Sequence, residues 1–218
     1  MKTLFLLFLC FVPSILFSQE WKPYKIDDSV QVSLPTDFTK VDTLGQTSFT
    51  AKTSFGYIQI TKQSDNPSTT PDIEKLRHLN SYYDNFVSRI RSSAKDGSII
   101  NEKDTLLGNL HVKDFTLAVD SGSGKQLRNI RILHENSATY TFQYLFQDIH
   151  EEYAAPESKL FFESIKIPPA IDVESQFTSP ENTTGDTPSG NTSIYIGAGL
   201  ILLIIVGILF YLKKKRGG

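Results

Sequence analysis

Thr139-Tyr140-Thr141-Phe142-Gln143-Tyr144-Leu145-Phe146-Gln147 alternates large rings with polar side chains. Strand side chains point to opposite faces with a period of two. Tyr140, Phe142, Tyr144 and Phe146 therefore share one face, with Thr139, Thr141 and Gln143 on the other. A helix would scatter the same rings around its axis. Four rings on one face belong at the centre of a core, since each carries a large apolar area. A carbohydrate-stacking platform is the rival use of such a face, and the regularity of the row favours core.

Further strands read outward from this one. Leu127 to His134 precedes it across a turn at Asn136. Ser98 to Leu107 and Leu110 to Val119 are joined by Gly108-Asn109, which suits a tight hairpin. The apolar phase slips between Val112 and Phe115, predicting a bulge near Lys113-Asp114. Toward the N-terminus, Val30, Val32 and Leu34 alternate up to Pro35, and Phe49 to Ala51 and Phe55 to Thr61 follow as short strands. In the last of these Ile58 and Ile60 oppose Phe55 and Tyr57. Between the two groups of strands, Ile73, Leu76, Leu79, Tyr83, Phe86, Val87 and Ile90 form a stripe of helical period. That helix is expected to start at Pro71-Asp72 and to end at Asp96-Gly97. A second helix is predicted from Pro156, with Leu160, Phe161 and Ile165 on its apolar face. The fold class is α+β, an antiparallel sheet covered by two amphipathic helices.

The opening Val30-Gln31-Val32-Ser33-Leu34-Pro35-Thr36-Asp37-Phe38, the mid-domain helix, the run of strands and the closing Leu160-Phe161-Phe162-Glu163-Ser164-Ile165 resemble the PsbP-like domain family over roughly Trp21 to Ile167. The resemblance implies an α/β/α sandwich and a non-catalytic binding or assembly role. It assigns no role to any residue. Phe17-Ser18-Gln19 is similar to the leader ends of secreted bacterial proteins, which implies an origin in a bacterial envelope.

The two ends of the chain carry its address. Residues 1–18 read as a signal peptide: Lys2 precedes an apolar run from Leu4 to Phe17, too short for a span. An uncleaved signal anchor is the alternative. Residues 19–168 form the extracytoplasmic domain, and 169–193 read as a disordered Ser/Thr/Pro-rich acidic linker. Residues 194–212 contain 13 Leu, Ile, Val or Phe among 19 uncharged residues. At about 1.5 Å per residue they cover roughly 28 Å, the thickness of a hydrocarbon core. Lys213, Lys214, Lys215 and Arg216 open a basic cytoplasmic tail (213–218), and positive residues stay inside. The expected product is a single-pass protein of the plasma membrane with its domain outside the cytoplasm, periplasmic in a Gram-negative cell.

Chemistry is thinly represented. The formal net charge is −2 and no basic cluster marks a nucleic-acid partner. The sole cysteine, Cys10, lies in the leader, so the domain has no disulfide and no thiol nucleophile. Ser121-Gly122-Ser123-Gly124-Lys125 lacks both the earlier glycine and the following Ser or Thr of a phosphate loop. No G-x-S-x-G elbow is present. The weak metal candidates are His111 and His134, near opposite ends of strands that can be neighbours, and the group Asp148, His150, Glu151 and Glu152. None has zinc-ligand spacing. The expectations are no enzyme, no cofactor and no resident metal, with a membrane or envelope protein as partner. A small-ligand or metal-binding envelope protein is the alternative.

Overall fold

The computed structural model describes residues 19–120, 122 and 124–178. The signal peptide (1–18), the linker beyond Thr178, the span (194–212) and the tail (213–218) lie outside the described residues.

Seven antiparallel strands form one sheet in the order β3 (Thr39–Thr43), β4 (Gln46–Lys52), β5 (Gly56–Ser64), β9 (Ala138–Gln147), β8 (Lys125–Glu135), β7 (Leu110–Asp120), β6 (Gly97–Leu107). A separate hairpin pairs β1 (Trp21–Lys25) with β2 (Gln31–Pro35). The ring-bearing strand is β9, at the middle of the sheet, and every residue from Ala138 to Phe146 is buried. Tyr140, Phe142, Tyr144 and Phe146 pack with Val32, Leu34, Phe49, Ile58, Ile60 and with Phe161 of helix α2 (Glu151–Glu163). Full burial of such a side chain is worth about 1.5–3 kcal/mol. Helix α1 (Leu76–Ser93) covers the opposite face, with Leu79, Tyr83, Phe86, Val87 and Ile90 against Phe115, Leu117, Ile130 and Ile132. The layers are therefore α1, the sheet, and α2 with the β1–β2 hairpin. Among the described residues no helix is long and apolar enough to cross a membrane.

Four local expectations change. Helix α1 begins at Leu76, not at Pro71-Asp72. Ile73 is fully buried, yet it is extended and its N–H donates to the Thr178 carbonyl at 2.9 Å. The bulge lies on β6, between Ile100 and Lys103, where Asn101 has φ 55°; β7 itself pairs with β8 without interruption from Lys113 to Asp120. What looked like a phase slip is a strand buried on both faces: Leu110, Val112 and Ala118 feed one core, Phe115 and Leu117 the other.

Helix α2 starts five residues early, after a 3-10 turn at Asp148–His150, and Pro156 lies inside it. As the sixth residue of the helix it lies beyond the four N–H groups left unpaired at a helix start, so its ring removes one hydrogen bond, the one that would reach the Glu152 carbonyl. Its inward residues are Ala154, Ser158 and Phe161, whereas Leu160 is exposed.

The fourth change concerns the linker, whose first ten residues belong to the fold. Asp172 caps a 3-10 turn, Val173–Gln176, by accepting from the Glu174 N–H. Gln176 is fully buried, and the Asn136 N–H donates to the Ser175 carbonyl at 2.9 Å.

The described chain enters and leaves at opposite ends of β5. The Gln19 amide donates to the Lys52 carbonyl, beside the start of β5, and the Thr178 hydroxyl to Asp65, just past its end. Nine strand residues separate those points, roughly 30 Å.

Candidate functional site

The β7–β8 ladder runs as far as Lys113 opposite Ile132 and then opens. Continuing that register would set His111 opposite His134, leaving the backbone groups of both to find other partners. Gln176 and Tyr83 supply them. The Gln176 side chain accepts from the His111 N–H (2.7 Å) and donates to the His111 and His134 carbonyls (2.9 Å each). The Tyr83 hydroxyl accepts from the His134 N–H (2.9 Å) and donates to the His111 carbonyl (3.0 Å). One side-chain amide thus replaces a peptide group between two strands. Burial pushes the Tyr83 hydroxyl far above the usual phenol range, so it stays a neutral donor.

The His134 ring is completely enclosed. Its Nδ1 lies 3.0 Å from the Gln176 carbonyl oxygen and its Nε2 3.1 Å from the Asp65 carboxylate. Both ring nitrogens thus face oxygen atoms of the protein. Both nitrogens are committed, which leaves neither for a metal. His111 joins this knot through its backbone. Asp148 and His150 lie elsewhere, at the far end of β9: Asp148 faces Lys125 at 3.7 Å, and the His150 ring is 6.5 Å from that of Phe55. Glu151 and Glu152 open α2, where carboxylates complement the helix dipole. Among the described residues no three His, Cys, Asp or Glu side chains converge enough to hold a metal ion.

A second polar group escaped the sequence reading. Asp27, in the β1–β2 turn, accepts from the Ser29 and Val30 N–H groups through Oδ1 and from Lys62 and Tyr140 through Oδ2. Burial opposes its charge, but the Lys62, Tyr140 and Ser29 hydrogen bonds prevail and hold its carboxyl below the ordinary 3.8. Nearby Glu135 is wholly buried and neither carboxyl oxygen has a hydrogen-bond partner in bonding geometry. Burial raises its pKa above the ordinary 4.5; proximity to Ser29 works against that, and the Asp27 charge adds to it. Asp27 also lines a shallow cleft of about 290 Å³ with Lys25, Asp28, Lys166 and the Ile167–Pro169 segment. The charges there are mixed, and Asp27 is already spent on Lys62 and Tyr140. Glu135 had a legible signal: it lies two residues beyond the core-facing Leu133, on the same face of β8.

No family model matches the chain, and no curated protein matches it in sequence. Solved structures do. Cyanobacterial PsbP from Synechocystis matches with TM-score 0.47 and 10% identity, over 71% of this chain and 96% of that one. LpqN of Mycobacterium tuberculosis, involved in cell envelope biogenesis, matches with TM-score 0.40 and 9% identity, over 69% and 91%. The Ran-binding protein Mog1p of Saccharomyces cerevisiae matches with TM-score 0.42 and 6% identity, over 74% and 100%. The likeness to PsbP is thus a distant one of fold. No partner or residue role comes with any of these proteins.

Proposed function

We propose that this chain is a single-pass membrane protein of the bacterial envelope whose α+β domain, a PsbP-like sandwich, works outside the cytoplasm as a non-catalytic binding or assembly module. The observation that carries the proposal is in the sequence: the uncharged run Ile194–Leu212, closed by Lys213–Arg216, begins only 15 residues after the last described residue, Thr178. A flexible coil of that length has a root-mean-square span of roughly 20–25 Å. A surface that close to the bilayer suits partners that are themselves in the envelope.

The domain's chemistry agrees with a binding role. His134, Tyr83, Gln176 and Asp65 spend their hydrogen bonds on one another and on the backbone of open strands. The alternative, a small-ligand or metal site, would have to dismantle that knot at His111 and His134, and at Asp148–Glu152 it would have to draw together side chains that do not converge in the fold.

Protease added to intact spheroplasts tests the topology: the domain should be digested, and the chain should leave the membrane only with detergent. A protected domain, or a full-length chain recovered without detergent, refutes the anchoring. Mild cross-linking in whole cells followed by purification tests the binding role, which fails when nothing above background accompanies the chain.

A further inference from the structure

Helix α2 has two apolar sides, and only one of them is used. Ala154, Ser158 and Phe161 face the core. On another side, Ile149, Tyr153, Pro156 and Leu160 follow one another at spacings of 4, 3 and 4 residues, the step of a helical stripe. Ile149 is 82% exposed, Tyr153 59% and Leu160 49%. Phe55 extends the patch: it is 41% exposed and its ring stacks on Tyr153 at 5.3 Å. The Phe55 N–H is held at 3.2 Å by Glu157, which also accepts from the buried Tyr144 hydroxyl at 2.6 Å. The Phe55 backbone is therefore held, and the two rings already pack on each other, which lowers the ordering entropy lost on contact.

The flanks indicate which partner fits. Glu152, Lys159 and Glu163 lie along one edge of the stripe, so the helix carries both charges beside an apolar centre. We propose that this face binds the same face of a second copy, with the two α2 helices antiparallel about a two-fold axis between Pro156 and Glu157. In that register Tyr153 meets Leu160 of the second copy, and the reverse. Lys159, 3.8 Å from Glu163 of its own helix, is offset from Glu152 of the second copy by two residues, about 3 Å along the axis, and His150 faces Glu163 of the second copy. A parallel pair would put the two charged edges on opposite sides of the contact, so neither charge pairing would form.

The area is adequate as well. The exposed parts of Phe55, Ile149, Tyr153 and Leu160 amount to roughly 400 Å² of apolar surface per copy, in the range of patches that mark interaction sites.

The test uses the full chain in detergent, with Cys10 replaced by serine for the cross-linking arm. Light scattering should give a dimer. Pro156→Cys, close to the two-fold, should oxidise to a covalent dimer on its own. Tyr153→Cys should do so only when mixed with a Leu160→Cys copy. The double variant Tyr153→Glu with Leu160→Glu should weaken association at least 100-fold and leave a folded monomer by circular dichroism, because both side chains are largely exposed. The proposal is overturned by a monomer at every concentration, by a Tyr153→Cys chain that links to itself, or by a dimer that survives the double glutamate variant, which would put the contact elsewhere. Capture of a different protein by Pro156→Cys in place of the second copy overturns it too.

Discussion

Replacing Gln176 by alanine should cost the domain far more than its place in a Ser- and Thr-rich stretch suggests. The substitution deletes three short hydrogen bonds at 2.7–2.9 Å, to the His111 N–H and to the His111 and His134 carbonyls, and a long one of 3.5 Å to the Tyr83 hydroxyl. A buried hydrogen bond contributes about 0.5–1.5 kcal/mol net, so the loss is about 3 kcal/mol. Tyr83 still serves the His134 N–H and one His111 lone pair, which keeps the figure from rising further. In a domain of this size that corresponds to a melting temperature lower by roughly 6–12 °C. The assay is urea unfolding and calorimetry of a fragment spanning 19–178, compared with Gln176→Ala and Gln176→Glu. Glutamate keeps the size and one acceptor but loses the donor and buries a charge against two carbonyls. It should do no better than alanine. A fragment ending at Pro168 lacks the same clasp and should melt below the 19–178 fragment. An alanine variant within about 0.5 kcal/mol of the parent, the range of ordinary surface changes, would refute the idea that Gln176 closes the β7–β8 gap.

Two further outcomes follow from buried charge. Glu135 has a raised pKa in the fold, so the native state retains a proton that the unfolded chain gives up, and stability should fall as pH rises from 4.5 through the raised value. Glu135→Gln should remove that slope and raise stability at neutral pH relative to the parent; an unchanged slope in denaturant titrations across pH would count against the assignment. Lys113 is nearly enclosed and its ammonium lies 2.6 Å from Asp84, 3.1 Å from Asp104 and 3.3 Å from Glu102. Burial alone would lower its pKa, but these carboxylates outweigh it and hold the ammonium charged. Lys113→Met should cost about 1 kcal/mol, discounted because the three carboxylates face water. The cost should shrink in high salt, and a salt-independent loss would point to packing instead.

How legible each part was in the sequence depended on whether its cause was periodic. The four rings of β9 and the Leu79–Ile90 stripe of α1 obey a single period, and both lie where alternation and helical spacing put them. Strand β7 misled because it has no polar face: a strand buried on both sides reads as a broken alternation. Helix α2 misled because its inward side is built from Ala154 and Ser158, which an apolar pattern hardly registers, while the conspicuous Leu160 points outward. Ile73 fits the α1 stripe but reaches the core from an extended bridge to Thr178. Gln176 was invisible. A lone glutamine has no period, and its partners at His111 are 65 positions away along the chain.

On the proposed topology, the wide separation of the two ends of the described chain gives the domain a distal tip and a root. An epitope spliced ahead of Gln19 in the mature chain would ride at the tip, some 30 Å from the point where the polypeptide departs past Asp65. Antibodies could then grip the molecule without touching its tether, and fluorophores placed at the two poles would report its tilt.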